Sequence, residues 1–146
     1  MLRRIMHPTD FSRASGAAFS RALAEARTNR ASLLLIHVLA PVIPMAGEGY
    51  VSPSVYEQMS EAGRAWAQKQ MKRLLARARA AHVRARGMLL EGVPHEAIVR
   101  AAKRQRADLI VIGTHGRTGV ARFFLGSVAA RVTATAPCPV LTVRGR

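Results

Sequence analysis

Apolar residues in this chain come in two kinds of run, and the kinds alternate. Short, near-continuous runs at residues 3–7, 33–38, 83–90, 108–113 and 140–144 are bounded by turn residues, as strands of a buried parallel sheet would be. Between them, apolar residues recur at helical spacing. Ser12 is placed to cap a helix over 13–29 that carries Ala14, Ala18, Ala22 and Ala26 on one face. A long helix over about 54–82 has Met59, Ala62, Trp66, Leu74, Ala78 and Ala81 as its apolar stripe. Arg64, Lys69, Arg73 and Arg77 fall on its solvated side. Pro94 suits the first turn of a helix over 94–106, with Ala97, Ile98, Ala101 and Ala102 toward the sheet. Val128, Ala129, Val132 and Ala136 predict a last helix over about 126–135. Residues 40–54, with three prolines and two glycines, read as a long loop.

Strands alternating with helices predict an α/β fold, a parallel sheet with helices on both faces. At 146 residues the chain fits one domain, over 1–146. Ligands in such sheets bind beyond the carboxyl ends of the strands, where strand order reverses. One strand end has the residues for it. The run at 108–112 empties into Gly113-Thr114-His115-Gly116-Arg117, and a second cluster, Gly126-Ser127-Val128, opens the last helix. Glycines let the backbone turn with φ > 0 and aim successive N–H groups into one concavity. A helix N-terminus adds its dipole. The spacing is neither a Walker A loop nor the dinucleotide fingerprint. By itself it reads equally as a plain strand-to-helix connection.

Composition narrows the partners. The formal net charge is +15, from 20 arginines and three lysines against eight acids. Such a chain attracts phosphate-rich molecules in a salt-sensitive way. The arginines are spread along the sequence and aromatics are few, which points away from specific nucleic-acid recognition. No apolar run reaches 18 residues, so no membrane span is expected, and the short run at the start is ended by Pro8, Thr9 and Asp10. A cytoplasmic location follows as the default. The single Cys138 reads as a packed side chain, not a reactive thiol. His7, His37 and His115 fall near strand ends, but no spacing rule makes them a metal site.

The pattern G-x2-G-x9-G-S from Gly113 to Ser127 resembles the ATP-binding signature of the universal stress protein family. Met6 to Ser12, Ile36-His37-Val38, Gly92 to Ile98 and Ala136 to Val143 resemble that family's other segments in the same order, so the likeness spans nearly the whole chain. The resemblance implies a three-layer, Rossmann-like fold with five parallel strands in the order 3-2-1-4-5. It implies an ATP site in which Gly116, Arg117, Gly126, Ser127 and Val128 hold the phosphates. Asp10 and the backbone of Gly113 would meet the ribose or base side, Thr9 would touch a phosphate, Pro8, Thr114 and His115 would line the pocket, and the main chain of Val38 would read the adenine edge. Mg2+ or Mn2+ would ride on the phosphates, since hard cations take oxygen ligands. It further implies a homodimer through the last strand, Val140-Leu141-Thr142-Val143, an apolar sheet edge that would otherwise lie open.

Catalysis is not evident. Asp10 is the only acid in these motifs, and rapid ATP hydrolysis needs an oriented water and charge stabilisation besides. The expectation is a nucleotide-binding regulator or sensor in stress response, with at most slow hydrolysis. The alternatives are an interaction module that binds no nucleotide in the cell and a nucleotide-transfer domain, for which this short chain leaves little room.

Overall fold

The computed structural model describes residues 1–41, 49, 52–115 and 125–145. The elements run β1 (Arg4–Pro8), α1 (Arg13–Asn29), β2 (Ser32–Leu39), α2 (Pro53–Ala80), β3 (Ala85–Glu91), α3 (Pro94–Gln105), β4 (Leu109–Gly113), α4 (Ser127–Thr135) and β5 (Val140–Val143). The five strands form one parallel sheet in the order β3-β2-β1-β4-β5. This is the expected order, and it reverses between β1 and β4.

Helices cover both faces. Ile5, Leu33, Leu35 and Val111 face α1 and α2 and pack with Phe19, Ala22, Met71 and Ala78. The alternate strand residues Met6, Leu34, Ile36, Ile110 and Ile112 face α3 and α4 and pack with Ile98, Ala102, Ala129 and Val132. The period of two along each strand therefore serves two cores at once, which is why the strands read as continuous apolar runs.

Local sequence explains the helix starts. Ser12 caps α1 by accepting from Ser15 N at 3.2 Å, and Pro53 and Pro94 occupy first-turn positions of α2 and α3. The ends of α1, α2 and α3 share one device. Arg30, His82 and Arg106 each take a left-handed φ, of 54°, 57° and 51°. The residue after each donates back to the helix: Ala31 to Ala26, Val83 to Ala78, Ala107 to Ala102. These are Schellman turns, each followed by an apolar residue that packs on the helix it has left.

Three expectations need correction. The stripe through Met59, Ala62 and Trp66 is not the buried side of α2. Ala67, Met71 and Ala78 are buried instead, while Met59 and Trp66 are 53% and 39% exposed. Trp66 instead sets its ring edge-on to Phe11 at 5.6 Å. Arg77 is not simply solvated: its guanidinium carbon sits 4.7 Å from the centre of the Phe19 ring and roofs it. Val83, expected in the third strand, belongs to the turn that closes α2.

Candidate functional site

The β1–α1 connection is a rigid turn built from short polar side chains. Thr9 N donates to Ile36 O at 2.8 Å, fixing the exit from β1 against β2. Asp10 Oδ1 accepts from Ser12 N at 2.9 Å. Ser15 Oγ lies 2.8 Å from Ser12 O and spends its one proton there. The 3.1 Å bond between Thr9 and Ser15 must then be donated by Thr9. Thr9 Oγ1 in turn accepts from Phe11 N at 3.0 Å. The Thr9 hydroxyl is thus occupied within the turn and holds Asp10 in place. Phe11, at φ 62°, carries backbone strain at this corner and stacks on His37 at 4.5 Å and edge-on to Trp66 at 5.6 Å.

Beneath the turn lies His7, fully buried. Pro8 has no N–H with which to extend the ladder to β4, which stops at Met6–Ile110. The His7 ring fills in, with Nδ1 donating to Val111 O at 2.9 Å. A carbonyl partner fixes the proton on Nδ1. The other nitrogen, Nε2, is buried with no hydrogen-bond partner. Burial lowers the His7 pKa from 6.5 to about 4, against the opposing pull of the Val111 bond and the Asp10 charge.

On the far side of the switch point, Thr114 is held at both ends. Its N–H donates to Val143 O at 2.9 Å, and its carbonyl accepts from Gly126 N at 2.6 Å. The Gly126 N–H is therefore committed to the protein itself. A Cβ on Gly126 would come within 2.9 Å of Thr114 O, so close backbone approach already demands glycine there. Gly113 is different: a Cβ there would meet nothing nearer than 3.6 Å. Gly126, the N-cap of α4, has no side chain with which to cap that helix. The first-turn N–H groups of Ser127, Val128 and Ala129 are left to other acceptors.

Between these two turns lies a cavity of about 240 Å3 at the carboxyl ends of the strands. It brings together Pro8, Thr9, Asp10, Val38, Gly113, Thr114, His115, Gly126, Ser127 and Val128 from the sequence expectation. Gly116 and Arg117 lie outside the described residues. Residues 42–48, inside the expected 40–54 loop, do as well. Sequence reasoning missed Ser15, Pro94, Ile98 and Ala129 as cleft residues. The Ser12-x-x-Ser15 pair at the start of α1 was the available signal for the first. The cleft has two characters. Ile36, Val38, Ile98, Ile112 and Val128 supply an apolar wall; Asp10, Thr114, His115 and Ser127 supply polar groups opposite. Such a site takes a ligand with a flat apolar body and an anionic tail directed at the α4 N-terminus.

Among the described residues no three His, Cys, Asp or Glu side chains gather as a metal site. All three histidines near the strand ends have hydrogen bonds within the protein: His7 to Val111 O, His37 Nδ1 to Thr9 O at 2.8 Å, and His115 Nδ1 to Thr114 Oγ1 at 2.9 Å. Burial first, and then the Asp108 charge, push the Cys138 thiol up from its usual pKa, away from thiolate reactivity.

Residues 1–144 match the model of the universal stress protein family. The chain belongs to the universal stress protein family. It is 38% identical over 144 residues to the universal stress protein in QAH/OAS sulfhydrylase 3'region of Thermus aquaticus, covering 99% of this chain and 100% of that one. The fold superposes on universal stress protein UspA from Lactobacillus plantarum with a TM-score of 0.85, 27% identity and 98% of each chain covered. A universal stress protein described in complex with cAMP aligns at TM-score 0.73 and 25% identity, covering 99% of this chain and 98% of that one. One from Archaeoglobus fulgidus, described in complex with dAMP, aligns at 0.68 and 25% identity, covering 99% and 100%.

Proposed function

We propose that this universal stress protein is a member of the family's ATP-binding class and acts as a regulatory or sensor module in stress response. The observation that carries the reading is the cleft at the β1/β4 switch point, whose lining joins apolar residues of β2, α3 and β4 to the N-terminus of α4, where the N-cap is a glycine. Adenine packs against Val38, Ile98 and Ile112; Asp10 and the Gly113–His115 backbone meet the ribose. The phosphates run toward Ser127 and Val128, with Gly116 and Arg117 assigned by the motif alone. Gly126 serves by letting the chain close tightly on Thr114, and Thr9 serves by positioning Asp10. Mg2+ or Mn2+ accompanies the nucleotide on its phosphates. Relatives in complex with cAMP and dAMP support an adenine nucleotide as the ligand class.

Turnover is slow at most in this reading, because Asp10 already holds Ser12 N and no other carboxylate lines the described part of the cleft. The protein works as one domain and as a homodimer through β5, whose outer edge pairs with no strand of its own chain. The cytoplasm is the expected compartment; among the described residues no helix is long and apolar enough to cross a membrane.

Calorimetric titration of nucleotide-free protein with ATP, AMP and GTP tests the proposal, at about 150 mM salt to screen the positive charge. Saturation near one ATP per chain, tighter than GTP, is the expected result. A folded sample that takes up no adenine nucleotide refutes it and leaves the interaction-module reading. Light scattering of the same sample reports the dimer.

A further inference from the structure

The arginines that look dispersed in the sequence are gathered by the fold. Every α-to-β connection returns the chain to the amino ends of the strands, opposite the cleft. At three of these returns the sequence carries basic residues: Arg27 and Arg30 after α1, Arg84 and Arg86 after α2, Arg106 after α3. Arg4 joins them at the start of β1. Two hollows open on this end. One, of about 260 Å3, is lined by Arg4, Arg84 and Arg86 together with Ser32 and Gln105. The other, of about 400 Å3, is lined by Arg27, Arg30, His82 and Arg84. Arg84 borders both, so the hollows form one continuous basic face.

Helix dipoles account for only part of this charge. Arg27 lies in the last turn of α1, where a cation complements the carbonyls. Arg84 precedes β3 and lies in no helix, while Arg86, in β3, donates to the Gln105 side chain at the end of α3. Arg30 and Arg106 occupy left-handed positions where glycine is the usual residue. Asp108, the acid at this end, is already engaged, its Oδ2 accepting from Arg3 N at 2.9 Å and Arg4 N at 2.8 Å. Its carboxylate stays charged and offsets part of the Arg4 charge, but one carboxylate does not balance the six arginines at this end.

We propose that this face docks the phosphate backbone of a double-helical nucleic acid, without reading its sequence. Guanidinium forks match phosphate oxygens in pairs, and arginine outnumbers lysine here. No Phe, Tyr or Trp lines either hollow and His82 is the one ring there, so successive unpaired bases have no stacking platform. The apolar lining consists of recessed alanines and strand residues, unlike the protruding apolar face that enters a membrane. Strands of five to eight residues separate this face from the cleft by about 20 Å, so both can be occupied together.

The test is fluorescence anisotropy of a labelled 20-base-pair duplex of arbitrary sequence, at about 150 mM salt and across a salt series. The triple variant Arg30→Ala, Arg84→Ala, Arg86→Ala is compared with Lys69→Ala, Lys72→Ala, Arg73→Ala, which removes the same charge from exposed positions on α2. The end-face triple loses at least tenfold in affinity, and its salt slope falls by about 2.7 if all three arginines meet phosphates. The α2 triple changes less than threefold, and Mg-ATP does not displace the duplex. If the end-face triple fails to fold, the pair Arg27→Gln and Arg84→Gln carries the same comparison. Equal losses in the two sets mean attraction by net charge alone and overturn the proposal. So do displacement by Mg-ATP, absence of duplex binding, and binding only to phosphatidylserine vesicles. None of these results depends on whether the cleft takes ATP.

Discussion

Acid should destabilise this protein well before its carboxylates titrate, and His7 is the reason. Its ring is fully buried, its Nδ1 proton is fixed on Val111 O, and Nε2 has no partner to share a second proton. In the folded chain the pKa is lowered from 6.5 to about 4. Above pH 6.5 the ring is neutral whether folded or unfolded, and nothing is lost. As pH falls from there, the unfolded chain takes up the proton first, so unfolding gains free energy until the folded ring also charges near pH 4. At 1.36 kcal/mol per pKa unit, the loss is about 2 kcal/mol at pH 5 and about 3 kcal/mol at pH 4. That is a large share of a typical folding free energy of roughly 5–15 kcal/mol. The Asp108 carboxyl is held below its usual 3.8 by the Arg3 and Arg4 N–H groups, so its loss belongs to a lower pH window. Urea unfolding between pH 7.5 and 4 measures the effect. His7→Gln keeps a side-chain N–H for Val111 but cannot charge, and its stability should be nearly flat over the upper part of that window. Parallel pH profiles for the two proteins, or an NMR titration of the His7 ring near 6.5, would refute the reasoning.

Three further outcomes follow from particular contacts. Gly126→Ala should lower stability by about 1–3 kcal/mol without any nucleotide present, because the new methyl group meets the Thr114 carbonyl at 2.9 Å; an unchanged melting temperature would refute the steric account. Gly87→Ala would bring a Cβ 2.6 Å from both Cγ and Sδ of Met71, a side chain that can change rotamer where the Thr114 carbonyl cannot, and thermal melts should place its cost below that of Gly126→Ala. Ser12→Ala removes the α1 cap at about 1 kcal/mol and releases Ser15 N. Since the same turn holds Asp10, it should also weaken ATP measurably in calorimetry, and intact affinity would separate the turn from the ligand.

What could be read from the sequence had one-dimensional causes. The runs at 33–36 and 109–112 are apolar throughout because both of their faces are covered, and a capping serine or a first-turn proline acts within a few residues of itself. The strand order came from the family likeness, since periodicity alone does not say which strands are neighbours. Other features depend on what lies across the fold. The buried side of α2 is set by what lies across from it, so Met59 satisfied the helical period yet stays exposed, and Trp66 is half-exposed with its ring against Phe11 and His37. Gly126 looked like a phosphate glycine, but its tightest neighbour is a carbonyl twelve residues back. The Thr9 hydroxyl looked available until Ser15 and Phe11 were brought beside it. The arginines at 4, 27, 30, 84, 86 and 106 form a face only because three helices all end at the same end of the sheet.

Thr114 joins two parts of the molecule that are otherwise described separately. Its amide anchors the last residue of β5 and its carbonyl anchors the first residue of the cleft's helix cap, with bonds of 2.9 and 2.6 Å. Like the pin of a hinge shared by two doors, it cannot shift without straining one bond or carrying the other partner along. The edge strand and the floor of the cleft are therefore mechanically adjacent, although seventeen residues separate Gly126 from Val143.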